Sequence, residues 1–381
     1  MSEFLITNAR IVTRHEVVEG DLLIRDERIA AVEPNRRPSA IPGALDAEGD
    51  FILPGLIELH TDNMERASSP RPGVRWPIAS AVIAHDAEMA ACGVTTVFDA
   101  LALGDIRRGT TRTELLNETV TAVTAMQAEG VLRADHRLHL RCELSFPTLR
   151  DLVDALAHHP LVGLMSLMDH TPGQRQFVSL DAFKLYYKGK YGMSEEAVEN
   201  FIVDRRRDQE KYAPDNHGAV IATAKEKGIR LASHDDATAA HIAEAVEAGV
   251  TIAEFPTTLE AGRAARLAGL HILAGAPNVV RGGSHSGNVA ATDFAREGLL
   301  DILSSDYVPA SLLNGAFRLA DLEAITLPDA VATVTATPAA AMGLTDRGTI
   351  APSLRADLVR VKIVGGMPVA RATWRTGERV A

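Results

Sequence analysis

Short apolar runs alternate with longer helix-like stretches through the middle of the chain. The runs are LIELHTD (56–62), GVTTVFDA (93–100), RLHLRCELS (137–145), LVGLMSLMDH (161–170), IRLASHDD (229–236), TIAEFPTT (251–258), HILAGAP (271–277) and DILSSDY (301–307). Between them, stretches such as TELLNETVTAVTAMQAEG and AAHIAEAVEAG carry Ala, Glu and Leu at helical spacing. Strands that are apolar almost throughout and alternate with helices predict a parallel sheet covered on both faces. Eight of them suit a closed (β/α)8 barrel, here over residues 54–342, better than an open sheet.

The two ends have another rhythm. Residues 1 to about 53 read as short strands, FLITNARIVT and EGDLLIRDERIAAVEP, with Gly, Asp and Asn at the turns. ADLVRVKIVGG and PVARATWRTG repeat that flavour after Gly348. The expectation is an α/β protein with a TIM-like barrel and a small composite β-sandwich domain built from 1–53 and 343–381.

Composition narrows the partners. The chain has 381 residues, 46% hydrophobic and 23% charged, as a globular protein does. A formal net charge of −11 offers no global positive field to nucleic acid or a membrane surface. A local basic cluster can still hold an anionic small molecule. Two cysteines, Cys92 and Cys142, make no disulfide framework and suit a reducing compartment. Met1-Ser2-Glu3-Phe4 begins no signal peptide, and no uncharged apolar run reaches about 18 residues. The expected location is cytoplasmic, with no membrane span. The oligomeric state is open and allows a homodimer.

In a barrel of this kind chemistry gathers at the C-terminal ends of the strands. Six of the eight runs end in His60 and Asp62, Glu143, His170, His234 with Asp235 and Asp236, Glu254, and Asp306. His60 and Asp62 point the same way because a strand alternates faces with period two. A lone histidine at a strand end is most often a hydrogen-bonded structural residue. Six candidates at equivalent strand ends favour a divalent metal, because buried charge there is costly unless paired or coordinated. Imidazole with carboxylate suits zinc, and the carboxylates also suit manganese. His85 is read as packing on the first barrel helix. His15, His136, His158, His159, His217, His241 and His271 are read as structural or solvated. His139 and Arg141 share a strand face with Glu143, where an internal salt bridge is the expected role.

PGLIELHTD, GVTTVFD, ASHDD, SSD and the late ADLV stretch together resemble the amidohydrolase superfamily of metal-dependent hydrolases. HTDN with PRPGVRWP, LMSLMDHTPGQRQF, SHDDAT, AEFPTT, GAPNVVRGGSHSGNVAA and LSSDYVP are similar to its branch in the carbon–phosphorus lyase pathway, over nearly the whole chain. The resemblance implies a divalent-metal site of one or two ions held by His60, Asp62, Glu143, His170, His234 and Asp306. Glu143 is the candidate bridge, since no lysine stands where a carbamylated one is expected. Asp306 is the candidate proton acceptor. Asp62 departs from the superfamily's second histidine, and His170 and His234 fall on strands four and five rather than five and six.

The implied reaction is hydrolysis of α-D-ribose 1-methylphosphonate 5-triphosphate to the 5-phosphate with release of pyrophosphate. A triphosphate needs cationic and N–H donors. Arg281, Gly282, Gly283, Ser284 and His285 in RGGSHSGN form one candidate anion loop. Arg175, Lys184, Lys188 and Lys190, among Tyr186, Tyr187 and Tyr191, form a long insertion after strand four that reads as a lid. Arg71, with Arg75 and Trp76, is a third candidate contact. The rival readings are an amidohydrolase cleaving a C–N bond, such as a cyclic amidase or deacetylase, and a catalytically inactive scaffold.

Overall fold

The computed structural model describes residues 3–34, 43–71, 73–104, 112–175, 180–284 and 287–381. The N-terminal strands are β1 (Glu3–Val12), β2 (Val17–Arg25), β3 (Arg28–Pro34), β4 (Leu45–Asp46) and β5 (Phe51–Pro54). Burial alternates only in part along them, and Ile6, Ile11, Leu22, Ile24, Ile29 and Ile52 are turned into one apolar core.

Next comes the alternation of strand and helix. β6 (Leu56–Thr61), α1 (Asn63–Ser68), α2 (Ile78–Ala91), β7 (Val94–Leu103), α3 (Arg112–Ala128) and β8 (Asp135–Glu143) lead it. α4 (Leu149–Leu156), β9 (Val162–Met168), α5 (Leu180–Tyr191), α6 (Glu195–Lys227), β10 (Arg230–His234), α7 (Ala239–Glu247), β11 (Ile252–Glu254) and α8 (Leu259–Leu267) follow. β12 (His271–Gly275), α9 (Ala276–Arg281), α10 (Ala291–Arg296), β13 (Ile302–Ser304), α11 (Ser311–Asp321), α12 (Leu327–Ala332) and α13 (Ala336–Met342) end it. Each of the eight apolar runs is a strand. They form one sheet in the order β13-β12-β11-β10-β9-β8-β7-β6, and a bridge between Thr61 and Asp306 joins its two edges. The strand pairs are parallel, and β6, β11 and β13 are buried along their whole length, as a sheet covered on both faces requires. The expected TIM-like barrel is therefore present; His170 follows its fourth strand by two residues and His234 ends its fifth.

β14 (Leu358–Val364), β15 (Met367–Arg375) and β16 (Glu378–Arg379) complete the chain and return to the first sheet, whose order is β16-β15-β14-β5-β1-β2-β3 with β4 beside β1. Both termini build it, as expected, in one mixed hydrogen-bonded sheet. Leu358, Ala372 and Trp374 close its core. By contact density the chain divides into two compact units. One is Met1–Asp99, Ala122–Arg137 and Ala274–Ala381; the other is Ala100–Thr121 and Leu138–Leu273.

Local chemistry sets the strand ends. Thr238 and Thr258 occupy the same place in successive strand–helix units, and each hydroxyl accepts from the backbone N–H three residues on. The segment expected as a lid loop holds a helix instead, α5, and the long α6 follows it. Ser194 caps α6 and Gly228 ends it in the left-handed conformation at φ 66°. Among the described residues no helix is long and apolar enough to cross a membrane.

Candidate active site

In the first unit the last residues of β6 and β13 are laced together. Asp306 donates its backbone N–H to the His60 carbonyl at 3.1 Å, and its own carbonyl accepts from Asp62 N–H at 2.8 Å. Donor atoms of His60, Asp62 and Asp306 lie within 4.8 Å of one another. Asp62 is the N-cap residue of α1, yet its side chain makes no cap hydrogen bond. Asp306 sits at φ 54°, a left-handed conformation that costs a non-glycine residue free energy. The two backbone bonds to β6 hold it there.

Glu58, two residues before His60, is fully buried. Its Oε1 accepts from His60 N–H at 2.7 Å and Ser304 Oγ–H at 2.8 Å, and its Oε2 accepts from Ser305 N–H at 2.6 Å. Burial pushes its pKa up to about 7, against the lowering effect of those donors.

A second buried cluster in the same unit holds no vacant nitrogen. Asn63 Nδ2 donates to Glu88 Oε2 at 3.0 Å and faces His85 Nδ1 at 2.9 Å, so His85 Nδ1 accepts. His85 then donates from Nε2 to Asp99 Oδ1 at 2.7 Å. His136 reaches Asp99 Oδ2 from Nδ1 at 2.7 Å and Asp86 Oδ1 from Nε2 at 3.3 Å. Burial disfavours charge on His136, but Asp99 and Asp86 outweigh it and raise its pKa to about 9. Although His85, Asp99 and His136 have metal-ligand chemistry and spacing, every ring nitrogen is engaged. The structural reading of both histidines fits this geometry.

In the second unit the ends of β8, β9 and β10 supply another group. Donor atoms of His170, His234 and Asp235 lie within 4.8 Å of one another. Asp235 Oδ2 is buried, 3.0 Å from His234 Nδ1 and 3.9 Å from His170 Nε2. Neither approach has hydrogen-bond geometry, so two imidazoles and a carboxylate oxygen converge in a way that fits a divalent ion. Asp235 is also held at φ 57°. Burial raises its pKa, and the charges of His234, His170 and Arg141 bring it below the ordinary carboxylate value.

Glu143, expected as a bridge, stands beside His170. Its Oε2 pairs with His170 Nδ1 at 2.7 Å, and its Oε1 accepts from Ser145 Oγ at 2.9 Å and His170 N–H at 3.3 Å. Engaging Nδ1 turns Nε2 outward, the usual way a carboxylate orients a metal-binding histidine. Burial opposes charge on both partners, yet their mutual attraction leaves Glu143 lowered and His170 raised. His139, buried, bonds Ser166 Oγ at 2.9 Å and lies 3.9 Å from Glu254 Oε1. His139 thus stands near Glu254, an approach that is an ion pair only when the imidazole is protonated.

The expected anion binders are placed unevenly. Arg281 is the exposed last residue of α9. Gly282, at φ 83°, ends that helix, and the N–H groups of Gly282 and Gly283 bond Asn278 O at 3.1 and 2.9 Å. Those two N–H groups cap a helix, so the expected cradle of glycine donors is not formed by them. Ser284 follows half-buried, and His285 lies outside the described residues. Arg71 is exposed, as is Trp76. Arg175 is bonded to the buried Asp236 and lies 3.6 Å from Glu244. Lys184 pairs with Glu195 and Glu199, and Lys188 with Glu195, across α5 and α6. The side chains of Tyr186, Lys190 and Tyr191 lie outside the described residues.

Sequence reasoning passed over three partners: Asp235 as a converging donor, Glu58 in the β6–β13 seam, and Asp99 between two histidines. Asp235 had a signal in its place beside His234. Asp99 and Glu58 had only their position within apolar runs.

No protein-family model matches the chain. Among solved structures, 5-methylcytosine deaminase from Klebsiella pneumoniae superposes with a TM-score of 0.67 at 14% identity, covering 99% of this chain and 98% of that one. A crystal structure described as an amidohydrolase gives 0.64 at 15% identity, over 99% and 98%. These likenesses show the fold: a parallel barrel with a mixed sheet from both chain ends, as in those amidohydrolase structures. The alpha-D-ribose 1-methylphosphonate 5-triphosphate diphosphatase of Escherichia coli (strain K12) is 48% identical over 378 residues, covering 99% of this chain and 100% of that protein. The chain belongs to that diphosphatase family.

Proposed function

We infer that this chain hydrolyses α-D-ribose 1-methylphosphonate 5-triphosphate to the 5-phosphate and pyrophosphate. The observation that carries the reading is the 48% identity running through nearly all of both proteins. The C–N hydrolase alternative rests on fold likeness at identities where only the fold is informative.

A divalent ion supplies a water of lowered pKa and polarises a phosphoryl oxygen. His60, Asp62 and Asp306 would hold one ion, and His170, His234 and Asp235 another. We propose zinc, with manganese as the carboxylate-favoured substitute. Glu143 keeps His170 Nδ1 occupied and so aims Nε2. Asp306 accepts the proton of the attacking water, and release of pyrophosphate requires attack at the α-phosphorus. Arg281, Ser284, His285 and Arg71 are proposed to hold the outer phosphates. Arg175, Lys184 and Lys188 join them only by giving up their present carboxylate partners. The composite sheet of 1–53 and 343–381 carries none of these residues and is proposed as a separate structural domain. A homodimer is the proposed assembly, to be checked by light scattering.

The test is ³¹P NMR of products from purified, metal-analysed protein given the triphosphate. Pyrophosphate with the 5-phosphate is expected. Orthophosphate alone would move attack to the γ-phosphorus, and no turnover with metal loaded would return the C–N hydrolase reading.

A further inference from the structure

The β6–β13 seam carries a fully buried acid, Glu58, that has no role of its own in the proposed reaction. Glu58 binds three donors from two strands: His60 N–H on its own strand, and Ser304 Oγ–H and Ser305 N–H on and beside β13. Ser304 does double service: its one hydroxyl proton is shared between Glu58 Oε1 at 2.8 Å and the His60 carbonyl at 2.5 Å, and its oxygen accepts from Asp306 N–H at 3.3 Å. One carboxylate and one hydroxyl thus connect the peptide groups of His60 and Asp306 directly.

Most of a barrel's register is set by continuous ladders, but this edge has little ladder. β13 is three residues long, and among the described residues its pairing with β6 is the Thr61–Asp306 bridge with the two backbone bonds beside it. The side-chain hydrogen bonds of Glu58 and Ser304 therefore add to the two backbone bonds that lace Asp306 to His60 and Asp62. A displacement of 1 Å in ligand position is enough to degrade such a site.

We propose that Glu58 is a positioning residue that sets the register of Asp306 against His60, with Ser304 as its relay. The proposal rests on reading His60 and Asp306 as metal-site residues. Glu58→Gln keeps the side chain's length but turns one acceptor into an NH2 group, which meets either Ser305 N–H or the His60 and Ser304 donors. Ser304→Ala removes the relay alone.

The experiment measures Zn²⁺ or Mn²⁺ binding to the metal-stripped full chain by calorimetry, thermal unfolding, and kcat and KM on the triphosphate. Glu58→Gln is expected to fold, to weaken metal binding by about tenfold or more, and to lower kcat with KM changed by less than about threefold. Ser304→Ala is expected to give a smaller loss of the same kind. A folded Glu58→Gln protein with metal affinity and kcat within about twofold of the parent would overturn the proposal. If Glu58→Gln does not fold, an unaltered metal affinity in Ser304→Ala overturns it instead. A parent protein that binds metal but does not turn over the triphosphate refutes the assigned reaction, and the metal titrations then judge the seam on their own.

Discussion

The backbone N–H of Asp62 donates to the carbonyl of Asp306 at 2.8 Å. Two acidic residues from the first and last barrel strands are thus hydrogen-bonded through their main chains, and their side chains share one small space with His60. The return bond from Asp306 N–H to His60 O makes the lacing reciprocal. The relative placement of these groups is a property of the closed sheet edge and not of either strand alone.

Replacing Asp306 by Asn keeps the peptide groups that make this lacing and removes the proton acceptor. The expected result is a folded protein, by circular dichroism, with kcat lowered about 10²- to 10⁴-fold. Retention of most of the activity would remove Asp306 from the mechanism.

Chelation is the second test. Dialysis against a chelator should abolish turnover, and added Zn²⁺ or Mn²⁺ should restore it. Steady turnover in protein shown to be metal-free by mass spectrometry would refute the two proposed ion sites.

Glu143→Gln tests orientation rather than coordination. Gln can still meet His170 Nδ1 but loses the charge, so metal affinity should fall about 10- to 100-fold. Calorimetry with the metal alone reads this without any substrate. No change in affinity would mean that the 2.7 Å contact with His170 does nothing for the ion.

Stability should depend on the His136 cluster at high pH. His136 rises from 6.5 to about 9 on folding, so its contribution is complete below pH 6.5 and is lost as pH climbs through 9. A shift of this size corresponds to roughly 3 kcal/mol. Asp99 is depressed well below its ordinary value despite burial, because His136 and His85 face it. That contribution is present above pH 3.8 and lost in stronger acid. Both shifts describe largely one interaction, so they do not add. Thermal melts from pH 6 to 10 should fall more steeply for the parent than for His136→Gln, and parallel curves would sink the assignment.

The basic residues should separate by what already occupies them. Arg281→Ala should raise KM about tenfold, the worth of a charge-assisted hydrogen bond. Lys188→Ala should raise it by no more than about threefold, since its ammonium is exposed and paired with Glu195 at 2.5 Å. Equal effects would restore the lysine to the phosphate site.

The apolar runs and their polar last residues were readable in one dimension because both depend on local rules. A strand buried on both faces must be apolar for most of its length, and a charged residue becomes affordable only where the strand meets its loop. This is why all eight barrel strands, and the candidate donors His60, Asp62, His170, His234 and Asp306, lie where the alternation predicts. The resemblance added the reaction, which no periodicity contains.

Partner choice was not readable. That Glu143 faces His170, that Arg175 is held by Asp236, and that Lys184 and Lys188 face glutamates of the next helix follow from which elements lie side by side. The N–H groups of Gly282 and Gly283 looked available for phosphate until the end of α9 took them. A hydrogen bond needs its partner within about 3 Å at a set angle. Residue type and spacing along the chain specify what a group can bond, while the folded register of distant strands and helices specifies what it does bond.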